Sequence, residues 1–65
     1  MPSVAVTMIE GYSDEAKERL CSALTGAVRQ VVPAQPDAII IALHEVPAAN
    51  YMRGGKQRQP APALP

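Results

Sequence analysis

Ala38-Ile39-Ile40-Ile41-Ala42-Leu43-His44 opens with six consecutive apolar residues, three of them isoleucine. The run is too short for a buried helix, and its β-branched residues favour a strand; being apolar at every step, it reads as a strand covered on both sides. Pro47 closes it. Upstream, Pro33 and Pro36 end whatever precedes it near Val32, because proline lacks the amide donor and disfavours helix at the residue before it. That preceding segment is helical. Ser13 is a good N-cap, Asp14 and Glu15 put negative charge in the first turn, and Leu20, Ala23, Leu24, Ala27, Val28 and Val31 recur every three or four residues. Glu18, Ser22, Gly26 and Arg29 take the wet side. Before the helix, Ser3 to Ile9 alternates: Val4, Val6 and Met8 share one side, while Ser3, Ala5, Thr7 and Ile9 share the other. Strand, helix of about 18 residues, strand is an α/β arrangement, a right-handed βαβ unit with parallel strands. Asn50 to Gly55 adds a short C-terminal hairpin turning at Gly54-Gly55.

The chain has 65 residues and a mass of 6.9 kDa. At that size it forms one small domain, here residues 2–56, followed by a Pro/Ala-rich tail, 57–65, expected to be extended or disordered. Small domains lean on disulfides, metals or partner subunits. Cys21 and His44 are each the only residue of their kind, so neither an intrachain disulfide nor a Cys/His zinc site can be built, and no metal or cofactor is expected. Oligomerisation remains, and one helix covers only one side of a sheet, so the other side should pack on another subunit. Six basic residues balance six acidic ones, which argues against nucleic acid as a partner. No stretch is apolar enough to span a membrane, and the N-terminus lacks the basic start of an export signal, so the expected location is cytoplasmic.

Met1-Pro2, then Glu10-Gly11-x-Ser13-Asp14-Glu15-x-Lys17 leading into an amphipathic helix, then Asn50-Tyr51-x-x-Gly54-Gly55 resembles the 4-oxalocrotonate tautomerase family from Pro2 to about Lys56. The resemblance implies an isomerase in which the initiator Met is removed and Pro2 becomes the amino-terminal catalytic base. It also implies sheets paired into dimers, and three dimers closing into a homohexamer with the Pro2 sites at subunit boundaries. The chemistry is reasonable. A freed proline nitrogen is a secondary amine; α-amino groups titrate near about 8, and apolar surroundings lower that value toward neutrality, where a general base works best. The substrate would be a small enol or α-keto acid.

In the family's best-known members two arginines bind a dicarboxylate, and the matching positions here hold Tyr12 and Ile40. Neither can replace a bidentate guanidinium fork, so the resemblance points to a smaller, less charged or aromatic enolic substrate. The family's aromatic wall falls on Tyr51. Among the remaining cations Arg53, just before the glycine pair, is the best candidate to hold an anion, ahead of Lys56 and Arg58. Tyr12 reads either as a pocket donor or as a subunit contact. His44 reads as a surface or interface residue, Cys21 as packing, and Lys17 and Arg19 as helix-surface charges.

Two other readings use the same residues. In one, this chain supplies the proline of a hetero-oligomeric tautomerase or dehalogenase while another chain supplies the arginines. In the other, the chain is a non-catalytic paralogue whose pocket is filled by its own side chains.

Overall fold

A computed structural model describes residues 1–61, and the part of the tail beyond them, residues 62–65, lies outside the described residues. Strand β1 (Ser3–Ile9) pairs in parallel with β2 (Ile40–Val46), and helix α1 (Asp14–Arg29) makes the crossover. A two-rung antiparallel hairpin follows, β3 (Met52–Arg53) against β4 (Lys56–Gln57). The expected βαβ unit with a C-terminal hairpin is the observed fold.

The parallel register pairs Val4 with Ile41, Val6 with Leu43 and Met8 with Glu45 on one side, and Ser3 with Ile40, Ala5 with Ala42 and Thr7 with His44 on the other. The first side is the one α1 covers. Val4, Val6 and Met8 are half-buried there, whereas Ser3, Ala5 and Thr7 are exposed. The uncovered side is therefore less apolar than the run of isoleucines suggests. Strand alternation sends Ile41 and Leu43 under the helix and leaves Ile40, at 45% exposure, as the large exposed side chain among the seven apolar residues Val4, Val6, Met8, Ile39, Ile40, Ile41 and Leu43. Among the described residues only Ile39 and Ala48 are buried, so a single chain has almost no interior of its own.

Three boundaries differ from the sequence reading. Pro36–Ala38 forms a 3₁₀ turn, which moves the second strand from 38–44 to Ile40–Val46. Proline at the first position of such a turn is pre-set for it and keeps Ala38 out of the ladder. The helix ends at Arg29 rather than near Val32: Val31 N–H donates to the Val28 carbonyl at 3.1 Å, three residues back, as the last turn tightens ahead of Pro33. The helix face turned to the sheet is Ala16, Lys17, Leu20, Cys21, Leu24, Thr25 and Val28, so Ala23, Ala27 and Val31 of the expected stripe are exposed. The cap is as expected, with Ser13 Oγ accepting from Ala16 N–H at 3.1 Å.

Lys17 is not a free surface charge. Its Nζ lies 2.8 Å from Glu45 Oε1 at the end of β2 and 3.3 Å from Asp14 Oδ1, tying the helix start to the far end of the sheet. The hydrogen bond to Glu45, then the one to Asp14, raise the Lys17 ammonium above its ordinary value of 10.5.

The start of the C-terminal tail is also tied down. Arg58 N–H donates to the Tyr51 carbonyl at 3.0 Å, extending the hairpin by one rung, and Ala61 N–H donates to the Glu10 carbonyl at 2.8 Å. This strap needs Gly11. Its φ is +122°, and a Cβ there would lie 2.7 Å from both the nitrogen and the oxygen of Ala61.

Gly11→Ala should therefore lower the denaturation midpoint by an amount equivalent to about 1–3 kcal/mol, the usual cost of forcing a side chain into such backbone. The Ala61 amide should lose its hydrogen-exchange protection in the same variant. Because the Lys17 value is raised, the stability it contributes is complete below pH 10.5 and is lost as pH rises through the higher folded value. Comparing Lys17→Met with the parent in denaturant titrations, the stability gap due to this ammonium should hold constant from neutrality to pH 10 and shrink above it.

Candidate active site

The candidate residues fall at the two ends of the sheet. At the starting end Pro2 is half-buried beside β2, its carbonyl accepting the Ile40 N–H at 3.0 Å. That bond extends the parallel ladder one residue before β1 and holds the proline at the strand's mouth. By the register that pairs Ser3 with Ile40, the apolar residue across from Pro2 is the buried Ile39, while the Ile40 side chain lies on the uncovered side.

The other end is built by Glu10 and Gly11. Glu10 N–H donates to the Val46 carbonyl at 2.9 Å, completing the ladder, while its carboxylate Oε1 accepts the Ala48 N–H at 3.1 Å. One residue thereby fixes where the chain goes after β1 and after β2. Ala48–Asn50 is a 3₁₀ turn seated on that carboxylate, and it delivers Tyr51 to the same end as Tyr12, which Gly11 and the Ser13 cap have placed. Gly54 and Gly55, with φ of +62° and +78°, supply the left-handed pair that a tight hairpin turn requires. The hairpin then returns Arg58 opposite Tyr51.

Ile9, Tyr12, Tyr51, Arg53, Gln57 and the strap residues 58–61 enclose an open hollow of about 680 Å³, within the range of small-molecule sites. A second hollow of about 290 Å³, lined by Met8, Tyr12, Ala16, Lys17 and Leu20, adjoins the helix start. Tyr12 divides the two.

Of the residues singled out in the sequence, Tyr12, Tyr51 and Arg53 thus meet in one hollow. Pro2 and Ile40 do not join them in the same chain. Seven strand residues at about 3.3 Å each separate the ends by roughly 20 Å. His44 is exposed on the uncovered side, and Cys21 is half-buried on the helix face turned to the sheet. Glu10 and the strap were missed as structural members of the site. The hint available was Glu10-Gly11 itself, an acid and a glycine at the end of a strand. Among the described residues no group of three or more His, Cys, Asp or Glu side chains could hold a metal ion, and no helix is long and apolar enough to cross a membrane.

The family model of the tautomerase enzymes matches residues 2–58, from the proline at the strand's mouth to the last hairpin residue. The chain belongs to the 4-oxalocrotonate tautomerase family. Among curated members, a probable tautomerase of Halalkalibacterium halodurans is 39% identical over 57 residues, covering 88% of this chain and 93% of that protein. The 2-hydroxymuconate tautomerase of Bacillus subtilis is 35% identical over 57 residues, covering 88% and 92%. Among solved structures, a heterohexamer 4-oxalocrotonate tautomerase from Chloroflexus aurantiacus superposes with a TM-score of 0.80 at 30% identity, covering 88% of this chain and 92% of that one. The tautomerase fold thus accounts for nearly the whole described chain, hairpin included.

Proposed function

We propose that this tautomerase-family chain is an isomerase that moves a proton between oxygen and carbon of a small enol or α-keto acid, with Pro2 as the general base once Met1 is removed. The observation that carries this reading is the family match beginning at residue 2, on a proline half-buried at the sheet's mouth. With Met1 attached, that nitrogen is a tertiary amide and has no useful basicity. Freed, it is a secondary amine on a half-buried residue beside the buried Ile39, and such surroundings disfavour its cation. The neutral amine takes the enol hydroxyl proton as the oxygen forms the carbonyl, and the resulting ammonium gives a proton to carbon. No electron or co-reactant is needed. Ile40 and Tyr51 line the apolar pocket, and Tyr12 and Arg53 help hold the substrate.

The separation of the two ends supports a site shared between chains. If Pro2 and Ile40 of one protomer face the Tyr12, Tyr51 and Arg53 hollow of another, both halves of the site are present only in the assembly. The near absence of a buried interior in one chain and the exposure of Ile40, Met52, Val31 and Val32 support the same conclusion. At about 1.5 to 3 kcal/mol for each large apolar side chain fully buried, covering even two of these in an interface contributes several kcal/mol. We take the assembly to be a homohexamer of three dimers.

Ketonisation of phenylenolpyruvate by Met-free protein should exceed the buffer rate, and Pro2→Ala should reduce it by a factor of 100 or more, the order expected for loss of a positioned base. Equal rates for variant and parent would remove Pro2 from the mechanism. Sedimentation at micromolar concentration should give an oligomer, and a folded 6.9 kDa species would contradict the shared site. Mixed oligomers of Pro2→Ala and Tyr51→Ala, refolded together, should regain activity that neither has alone, whereas a site contained in one chain gives none.

A further inference from the structure

The hollow that holds Tyr12 and Tyr51 carries two arginines, Arg53, which the sequence ranked first as an anion holder, and Arg58, which it ranked behind. Hairpin register explains the second. Met52 pairs with Gln57 and Arg53 with Lys56, and the Arg58 N–H to Tyr51 carbonyl bond continues that register to a Tyr51–Arg58 pair. Opposed residues of an antiparallel ladder share a face, and so do residues two apart along one strand. Tyr51, Arg53 and Arg58 are therefore presented on one side of the hairpin, and all three line the hollow. Lys56, which shares that face, does not line it.

No acidic side chain lines this space. Both ion pairs among the described residues belong to Lys17, so neither Arg53 nor Arg58 is neutralised there. The nearest acid in sequence, Glu10, spends its carboxylate on the Ala48 amide, and the Gln57 amide nitrogen is committed to the Ala49 carbonyl at 3.0 Å. Two guanidinium groups without counter-charge among the described residues, beside two phenol rings and the aliphatic walls of Ile9, Pro60 and Ala61, suit one chemical class. It is a carboxylate attached to a flat, apolar body.

Arg58 also has a fixed base. The strap that follows it crosses the Glu10-Gly11 bend, where the Ala61 amide is bonded at 2.8 Å and the lack of a Cβ on Gly11 lets the two backbones meet. The chain is thus held at Arg58 itself, by the rung to Tyr51, and again after it, by the Ala61 anchor.

We propose that Arg53 and Arg58 together form a carboxylate-binding subsite in the Tyr12–Tyr51 hollow, taking over the anion recognition that Tyr12 and Ile40 cannot provide. The proposal rests on the tautomerase reading for the subsite's role in turnover, but its binding chemistry is measurable without turnover.

Cinnamate is a suitable probe, since it is flat, carries one carboxylate and cannot tautomerise as an enol; its methyl ester is the uncharged control. Calorimetric titration of the full-length, Met-free oligomer at neutral pH should give binding of cinnamate at least about tenfold tighter than of methyl cinnamate, as expected for charge-assisted bonds. Arg53→Gln and Arg58→Gln should each weaken cinnamate about tenfold and leave the ester unchanged. Arg58→Lys, which keeps the charge without the fork, should recover part of the loss, and NMR should place the probe-dependent shift on the Arg58 Nε–H. The proposal is overturned if Arg58→Gln binds cinnamate as the parent does, if acid and ester bind alike, or if cinnamate does not bind. The tautomerase reading fails separately: Pro2→Ala would then keep the parent's rate on phenylenolpyruvate while the arginine variants still lose cinnamate.

Discussion

Two strands that run side by side in the same direction cannot be joined by a tight turn, so the chain must travel back along the sheet before the second strand begins. In this protein that return is α1, and most other features follow from it. The helix gives β1 and β2 a covered side, which receives Val4, Val6, Ile41 and Leu43 in register. It also leaves an uncovered side of small, polar and few large residues. Because both strands point the same way, everything that precedes them gathers at one end and everything that follows them gathers at the other. Pro2 and the residue before β2 are neighbours for that reason, and so are Tyr12 and Tyr51.

The sequence states this topology at the positions where one residue type has a single good use. Ser13 before two acids, Pro47 after a β-branched run and the Gly54-Gly55 pair each marked an element end that the structure has in the same place. Where several residues compete, the reading drifted. Ala38 and Ile39 look like strand, but a 3₁₀ turn begun by Pro36 takes them first. Ala23, Ala27 and Val31 fit the helical period, yet alanine carries little apolar area and does not set which way a helix faces. Lys17, a charged residue, occupies the sheet-facing side instead because Glu45 lies across from it.

The candidate site was legible as a set of residues and not as a place. Pro2, Tyr12, Ile40, Tyr51 and Arg53 could be named from spacing and family likeness, but which of them meet depends on strand direction and on contacts across long stretches of chain. The Glu10 carboxylate on the Ala48 amide joins residues 38 positions apart, and the Ala61 amide on the Glu10 carbonyl joins the tail to the first turn. Neither contact has a local pattern. The tail, rich in proline and lacking periodicity, reads as idle chain, whereas its first part forms one wall of the hollow. Proline suits that role. It has no amide to satisfy and few conformations to lose when the strap is seated.

The strap also bears on how the chain can be extended. On the proposed mechanism, an addition before Pro2 would put an amide where the free amine acts, which would close that end to fusion for a reason of chemistry. An addition after Pro65 would meet a different limit. Ala61 is pinned to the Glu10 carbonyl at 2.8 Å, and a tethered domain would begin only a few residues from the rim of the hollow. A bulky partner there would stand at the entrance, while a small fluorophore or spin label on the same tether would be held close enough to sense what enters. On that mechanism the two ends of the fold are unequal handles: the Pro2 end would have to stay bare, while the strap leads away from Ala61 beside the hollow.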